Sequence, residues 1–214
     1  MSDERQGTAA RLNELVTEAG LEPLEGAVAG RFGEYCSLLL RWNARVNLTA
    51  IRDEEGILSR HFVESIASAR ALPAGIGTLL DFGSGGGFPG IPTALCRPEI
   101  AVTLAESQGK KAAFLQEAVR VLGVSARVHA GRAETLGEAF DCVTLRAVDR
   151  MEAAVRAAAE LVKPGGWLAL MTTVGEAEKL KSAAGAEFSW RSTTALPGDD
   201  RLLALAERMV NAPA

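Results

Sequence analysis

Ten consecutive residues, Asp81-Phe82-Gly83-Ser84-Gly85-Gly86-Gly87-Phe88-Pro89-Gly90, hold five glycines. Such a stretch lets the backbone take positive φ and approach a ligand closely, as a loop that holds a nucleotide-like cofactor must. Two registers are open. Gly85, Gly87 and Gly90 satisfy GxGxxG, the dinucleotide spacing in which a helix N-terminus receives a pyrophosphate. Asp81, Gly83, Gly85 and Gly87 instead give an acid followed by Gly-x-Gly-x-Gly. A pyrophosphate needs free N–H groups at the helix start, and Pro89 and Pro92 remove two donors from the turn that follows. A ligand with one carboxylate asks less of the same backbone.

Three side chains further on could work with this loop. Glu106 lies roughly 20 residues beyond it, where an acid accepts hydrogen bonds from ribose hydroxyls in either cofactor class. The competing reading is a helix N-terminal charge ahead of Lys110 and Lys111. Glu134, in Gly131-Arg132-Ala133-Glu134, falls where such folds line an adenine pocket, or it is a solvated loop acid. Arg146 ends an apolar run, where this type of sheet faces its substrate; the alternative is a surface ion pair worth little. Metal chemistry is not expected: Cys36, Cys96 and Cys142 are widely spaced in apolar surroundings, and only His61 and His129 could join them. Buried free thiols are the expectation.

The elements that must position these residues follow from periodicity. After Gly75, short apolar runs alternate with amphipathic helices, the pattern of a parallel sheet built from βαβ units. Strands are expected at Thr78 to Phe82, Ala101 to Ala105, Arg127 to Ala130, Asp141 to Leu145 and Trp167 to Met171. Helices are expected at Lys110 to Leu122, at Arg150 to Val162 (stopped by Pro164-Gly165-Gly166) and, shorter, at Lys179 to Ala184. Phe188 to Thr194 and Leu202 to Glu207, joined through Pro197-Gly198-Asp199-Asp200, read as an antiparallel hairpin at a sheet edge. Ahead of the sheet, helices are expected at Thr8 to Gly20, Leu24 to Arg45 and Asp53 to Ala71, the last two joined by the polar segment Asn47 to Arg52. The expected fold class is α/β: a Rossmann-like, doubly wound, mostly parallel sheet over residues 74–214, preceded by an N-terminal helical extension over residues 1–73, one compact domain overall. Ligands of such sheets bind outside the carboxyl ends of the strands, which brings the glycine loop, Glu106 and Arg146 to one edge.

Composition narrows the setting. With 48% apolar and 23% charged residues the chain has an ordinary globular balance. No apolar run reaches the ~20 residues that span a bilayer, and Met1 to Ala10 lacks the pattern of a secretory signal, so a cytoplasmic protein with no membrane partner is expected. A net charge of −4 does not advertise a nucleic-acid binder. That count would have to be offset by basic side chains gathered on one face.

Six ordered blocks resemble one family, the ribosomal RNA small-subunit methyltransferase G proteins, also called glucose-inhibited division protein B. They are Trp42 through Ala50 (WNARVNLTA), His61 through Ser65 (HFVES), Asp81 through Pro92, Ser107 through Lys111 (SQGKK), Gly131 through Leu136, and Thr144 through Ala147 (TLRA). The acid followed by Gly-x-Gly-x-Gly is likewise similar to the first motif of class I methyltransferases. The resemblance implies an S-adenosyl-L-methionine-dependent enzyme methylating N7 of a guanine in small-subunit (16S) ribosomal RNA. It places Gly83 and Phe88 on the methionine and ribose side of the cofactor, Ala133 and Glu134 at the adenine, and Arg146 at the mouth as both a cofactor contact and the catalytic candidate, with Gly85, Gly87 and Glu106 completing the expected cofactor-binding set. Asn43, Asn47, His61 and Lys110 become candidate RNA contacts, although the first three could equally cap helices, and Trp42, Phe62 and Ile66 could simply pack. A monomer is expected. The chain departs from the family where a lysine and glycine usually follow the fifth strand: it has Met171-Thr172-Thr173, and with that lysine goes one possible phosphate anchor.

Guanine N7 carries an in-plane lone pair and no proton, so the absence of a catalytic dyad fits this substrate. Two rival readings remain: a methyltransferase of the same fold acting on a small molecule or protein, and a nicotinamide-dependent oxidoreductase suggested by GxGxxG.

Overall fold

The computed structural model describes residues 2–210, with side chains from Gln6 onward; the outer ends of the two expected segments, residues 1 and 211–214, lie outside the described residues. Helices α1 (Ser2–Glu18), α2 (Gly26–Asn43), α3 (Glu54–Ile57) and α4 (Glu64–Ala71) form the front of the chain, with a π-helical turn, Leu58–Val63, between α3 and α4. Then come β1 (Thr78–Phe82), α5 (Gly90–Cys96), β2 (Ala101–Ala105), α6 (Gly109–Leu122), β3 (Ala126–His129) and β4 (Phe140–Arg146). These are followed by α7 (Met151–Ala159), β5 (Val162–Thr173), α8 (Val174–Ala184), β6 (Phe188–Ala195) and β7 (Arg201–Arg208). The seven strands lie in the order β3-β2-β1-β4-β5-β7-β6; the first five are parallel, and β7 runs antiparallel to both β5 and β6.

The strands are apolar on both faces because both faces are covered, as a parallel sheet requires. Leu79, Val102, Leu104, Cys142, Ala169 and Leu203 point into one core, shared with Leu12 and Val16 of α1, Phe32 and Leu39 of α2, Ile66 of α4, Ile91 of α5 and Phe114 of α6. Their alternate neighbours Leu80, Val143, Leu145, Leu168, Leu170 and Ala204 point the other way, onto Val155 and Ala158 of α7 and Leu180 of α8. The helical front is thus part of the wall of the sheet. Trp42 of α2 serves that packing: its ring meets Phe114 edge-on at 5.8 Å and its Nε1 donates to Glu117 of α6 at 3.1 Å.

Three local expectations are corrected. The single helix expected from Asp53 to Ala71 contains the π-turn, whose extra residue is invisible to a 3.6-residue count. The segment Gly90–Cys96, for which no helix is expected, is helical, because Pro89 sits before the first turn and Pro92 inside it, where helix N–H groups have no intrahelical acceptor. Pro164-Gly165-Gly166 does not stop α7, which has already ended; it lies within β5, where the register against β4 shifts between Phe140 and Cys142 and so absorbs a residue that cannot donate.

Candidate functional site

The glycine loop leaves the carboxyl end of β1 and is clamped to β2: Gly83 N and Ser84 N both donate to Ala105 O at 3.0 Å. Gly83, Gly85 and Gly87 take φ of +73°, +54° and +91°. At Gly87 the requirement is steric as well, since a Cβ would stand 2.6 Å from both Ile91 Cδ1 and the Tyr35 hydroxyl. Asp81 braces the loop from below. Its carboxylate is buried, accepts from Gly90 N at 3.1 Å and from Thr144 Oγ1 at 3.3 Å, and burial raises its pKa to about 6. With the Gly90 N–H bound to Asp81, Ile91 N to Gly87 O and Thr93 N to Pro89 O, α5 offers a pyrophosphate little, which weighs against the dinucleotide register.

Glu106 stands immediately beyond β2, 6% exposed, with Oε2 accepting from Gly85 N at 2.9 Å and Oε1 from Gln108 N at 2.7 Å. It therefore fixes the loop's conformation, and each oxygen keeps a lone pair for a further donor. Ala133 is buried in a 3₁₀ turn, Ala133–Thr135, beside Glu134, whose carboxylate pairs with Arg132.

Opposite the loop a column of rings runs out from the helical front. Phe32 tilts on Phe62 at 5.1 Å, Phe62 stacks on Tyr35 at 5.0 Å, Tyr35 leans on Phe88 at 5.5 Å, and Phe88 stacks with His61 at 4.7 Å. The Tyr35 hydroxyl donates to Gly86 O, tying α2 to the loop. The guanidinium carbon of Arg146 lies 5.7 Å from the centre of the Phe88 ring, close enough for a cation–π contact. Its Nη2 reaches Glu64 Oε2 at 2.8 Å, Arg60 O at 2.9 Å and His61 Nδ1 at 3.0 Å. Arg146 is 12% exposed and Glu64 2%, so this is a buried pair rather than a rim contact. A donor at Nδ1 fixes His61 as a neutral acceptor there; burial and the charges of Arg146 and Arg60 take its pKa down to about 3. Its Nε2 lies 2.6 Å from Thr49 Oγ1.

These groups surround one cavity of about 740 Å³, whose lining includes the glycine loop, Phe88, Glu106, Ala133, Glu134, His61 and Arg146. Its size suits a cofactor-sized ligand. The residues fit S-adenosylmethionine on this structure's own terms: positive-φ backbone for close approach, a buried acid at the strand end, a small buried residue with an acid beside it, and an aromatic face. Among the expected cofactor residues, Gly87 faces Ile91 and Tyr35 and is absent from the lining; it shapes the loop from behind.

The RNA candidates divide. Asn43 is corrected: it is 3% exposed, and its amide accepts from Leu48 N and Thr49 N and donates to Thr49 O and Ile51 O, so it templates residues 44–52 and has nothing left for RNA. Asn47 is exposed and accepts from Arg52 at 2.9 Å. Lys110 is exposed outside the cavity, and Lys111 lines it instead. Sequence reading missed Tyr35, Arg60, Glu64, Arg201 and the loop after β4, where Ala147 and Arg150 both have φ of +51°, an uncommon conformation for residues with a Cβ. Glu64 lies in the HFVES segment, where nothing in its type or spacing marks a role. Tyr35, inside the expected helix Leu24 to Arg45, is equally unmarked. Despite the net charge of −4, basic side chains gather at this cavity: Arg60, Lys111, Arg132, Arg146, Arg150 and Arg201.

The sheet order, the glycine loop at its switch point and the acid beyond β2 define a class I methyltransferase fold. Solved structures agree. TrmN from Thermus thermophilus superposes with a TM-score of 0.56 at 22% identity, covering 71% of this chain and 53% of that one. The 16S rRNA N2 G1207 methyltransferase of T. thermophilus, in complex with AdoMet and guanosine, gives 0.53 at 21% identity, covering 71% and 40%. Sequence relatives lie nearer. The ribosomal RNA small subunit methyltransferase G of Xanthomonas euvesicatoria pv. vesicatoria is 43% identical over 168 residues, 76% of this chain and 78% of that protein. The protein of the same name from Stenotrophomonas maltophilia (strain K279a) is 43% identical over 175 residues, 80% of each. A family model for rRNA small subunit methyltransferase G matches residues 29–196. This chain belongs to that family and is a methyltransferase.

Proposed function

We propose that this chain transfers a methyl group from S-adenosyl-L-methionine to N7 of a guanine in small-subunit ribosomal RNA, acting in the cytoplasm as a monomer. The observation that carries the reading is the cavity at the switch point, with a cofactor cradle on one wall and a basic mouth on the other, in a chain of this family. Residues 83–86, Phe88 and Glu106 hold the methionine and ribose, and Ala133 and Glu134 face the adenine. When bound, the cofactor supplies an electrophilic methyl on a positively charged sulfur. Guanine N7 meets it with a lone pair and no proton to lose, so the site needs no general base. What the protein contributes is alignment, since fixing two reactants in attack geometry is worth roughly 7–11 kcal/mol. Arg146, held by Glu64 over Phe88, positions the incoming base. Among the described residues no helix is long and apolar enough to cross a membrane, and no group of three or more His, Cys, Asp or Glu is placed to hold a metal.

Tritium transfer from labelled cofactor to purified small subunits, followed by mass mapping of the modified base, tests the substrate. Label on free metabolites or proteins in place of RNA, or on an atom other than N7, overturns it. The Arg146→Ala variant is expected to lose methyl transfer by at least about tenfold more than it loses cofactor affinity. Equal losses would remove its role toward the base.

A further inference from the structure

Two arginines, Arg60 and Arg146, pair with one buried carboxylate at the cavity mouth, and a third, Arg201, lies near enough to act on it through its charge. Arg146, at the end of β4, bonds Glu64 Oε2 at 2.8 Å, and Arg60, in the π-turn, approaches Oε1 at 3.6 Å. Arg201, the first residue of β7, lines the same cavity. The turn ahead of it lies against Glu64: a Cβ on Gly198 would stand 3.8 Å from Oε1. Arg201 has a second carboxylate near it, that of Asp200, at 3.7 Å and 62% exposed, too wet to offset much charge. His61, neutral, adds nothing. Three guanidiniums against one buried acid leave positive charge uncompensated, and hydrogen bonds are left unmade: Arg146 Nη1 and Arg201 Nε are both buried without a partner, against one unpartnered acceptor in the cluster, Glu64 Oε1. Burial and the charge of Arg201 together hold the Arg146 guanidinium below its ordinary pKa, against the pull of Glu64. A cluster with spare charge and spare N–H groups is matched by an anion with several acceptor oxygens, and guanidinium geometry suits phosphate. Arg60 is 54% exposed, so the cluster reaches out of the cavity, which favours a polymer backbone passing outside over a carboxylate of an enclosed cofactor.

We propose that Arg60, Arg146 and Arg201 form a binding site for an RNA phosphodiester beside the target guanosine, with Glu64 as the positioning residue that keeps Arg146 over Phe88. The inference rests on the function proposed above. It assigns to the C-terminal hairpin a part in substrate binding, through Arg201.

The test uses the full chain with purified small-subunit ribosomal RNA and, separately, with S-adenosylmethionine. For Arg201→Ala the slope of log affinity against log salt is expected to fall by about 0.7 to 1, the loss of one phosphate contact, while cofactor affinity stays within about twofold. Arg201→Lys keeps the charge and is expected to restore the slope. Should the alanine variant fail to fold, Arg201→Gln against Arg201→Lys gives the same comparison. An unchanged slope overturns the phosphate site. So does a loss of cofactor affinity with the slope intact, which would give the cluster to the cofactor's carboxylate. Glu64→Gln is expected to lower kcat with no loss of RNA affinity, and Glu64→Asp to recover part of it; a Glu64→Gln variant of wild-type kcat overturns the positioning role. Wild-type protein that binds this RNA with an Arg201-dependent slope yet transfers no methyl to it would sink the function and leave the phosphate site standing.

Discussion

Glu106 does two things at once: it is an acceptor for a ligand, and it already holds Gly85 N–H and Gln108 N–H in place. Glu106→Ala should therefore weaken S-adenosylmethionine binding by roughly tenfold to a hundredfold, the scale of lost bonds to a charged group, with Glu106→Gln intermediate. Calorimetry checks this, and equal affinity in wild type and alanine variant would remove the assignment. His61 makes a different prediction. Its pKa drops from 6.5 to about 3 on folding, so the unfolded chain binds the extra proton between those values; the stability His61 contributes is whole above about 6.5 and is lost as the pH falls through that window. Asp81 works in the opposite sense: raised from 3.8 to about 6, it favours the folded state at low pH and loses that contribution as the pH rises through 6. Replacing His61 by Asn removes one side of this opposition. Urea melts at pH 4, 5 and 6 should show the stability difference, variant minus wild type, growing more negative as the pH rises; a difference that does not change with pH would mean that His61 is not held neutral.

Asn43 shows how much of a single element can hang on one side chain. Its four bonds hold residues 48–51 at the end of α2, and through Thr49 that segment reaches His61. Asn43→Ala leaves buried backbone groups without partners and is expected to cost at least about 2 kcal/mol, read as a lower denaturation midpoint with little change in slope. A wild-type midpoint would show that the segment holds itself. The elements themselves were legible in uneven measure. β1 and β2 could be placed to the residue because two-faced burial writes a short, mostly apolar run, bounded by Gly77 and Gly83 for β1 and closed by Glu106 for β2. The helix α5 could not, because two prolines signal a break unless it is known that they fall at a helix start. The π-turn, which sets the direction of His61 and Glu64, leaves no mark in a period count. The glycine loop and Glu106 were readable from type and spacing; Arg201 reaches the cavity, and Tyr35 the back of the loop, only through tertiary packing.

For the whole molecule, composition was a poor guide to where charge lies. A net charge of −4 coexists with six basic side chains around one opening, because a sum carries no information about placement. The affinity of the intact protein for small-subunit RNA should accordingly fall steeply between 50 and 200 mM salt; a flat dependence would mean that the basic mouth does not meet a phosphate backbone. The ring column from Phe32 to His61 has a practical corollary. Tyr35 is the single tyrosine of the chain, and its hydroxyl rests on the loop that is to wrap the cofactor. Fluorinated tyrosine incorporated during expression would thus give one nuclear magnetic resonance line, a built-in gauge of loop occupancy that needs no added dye.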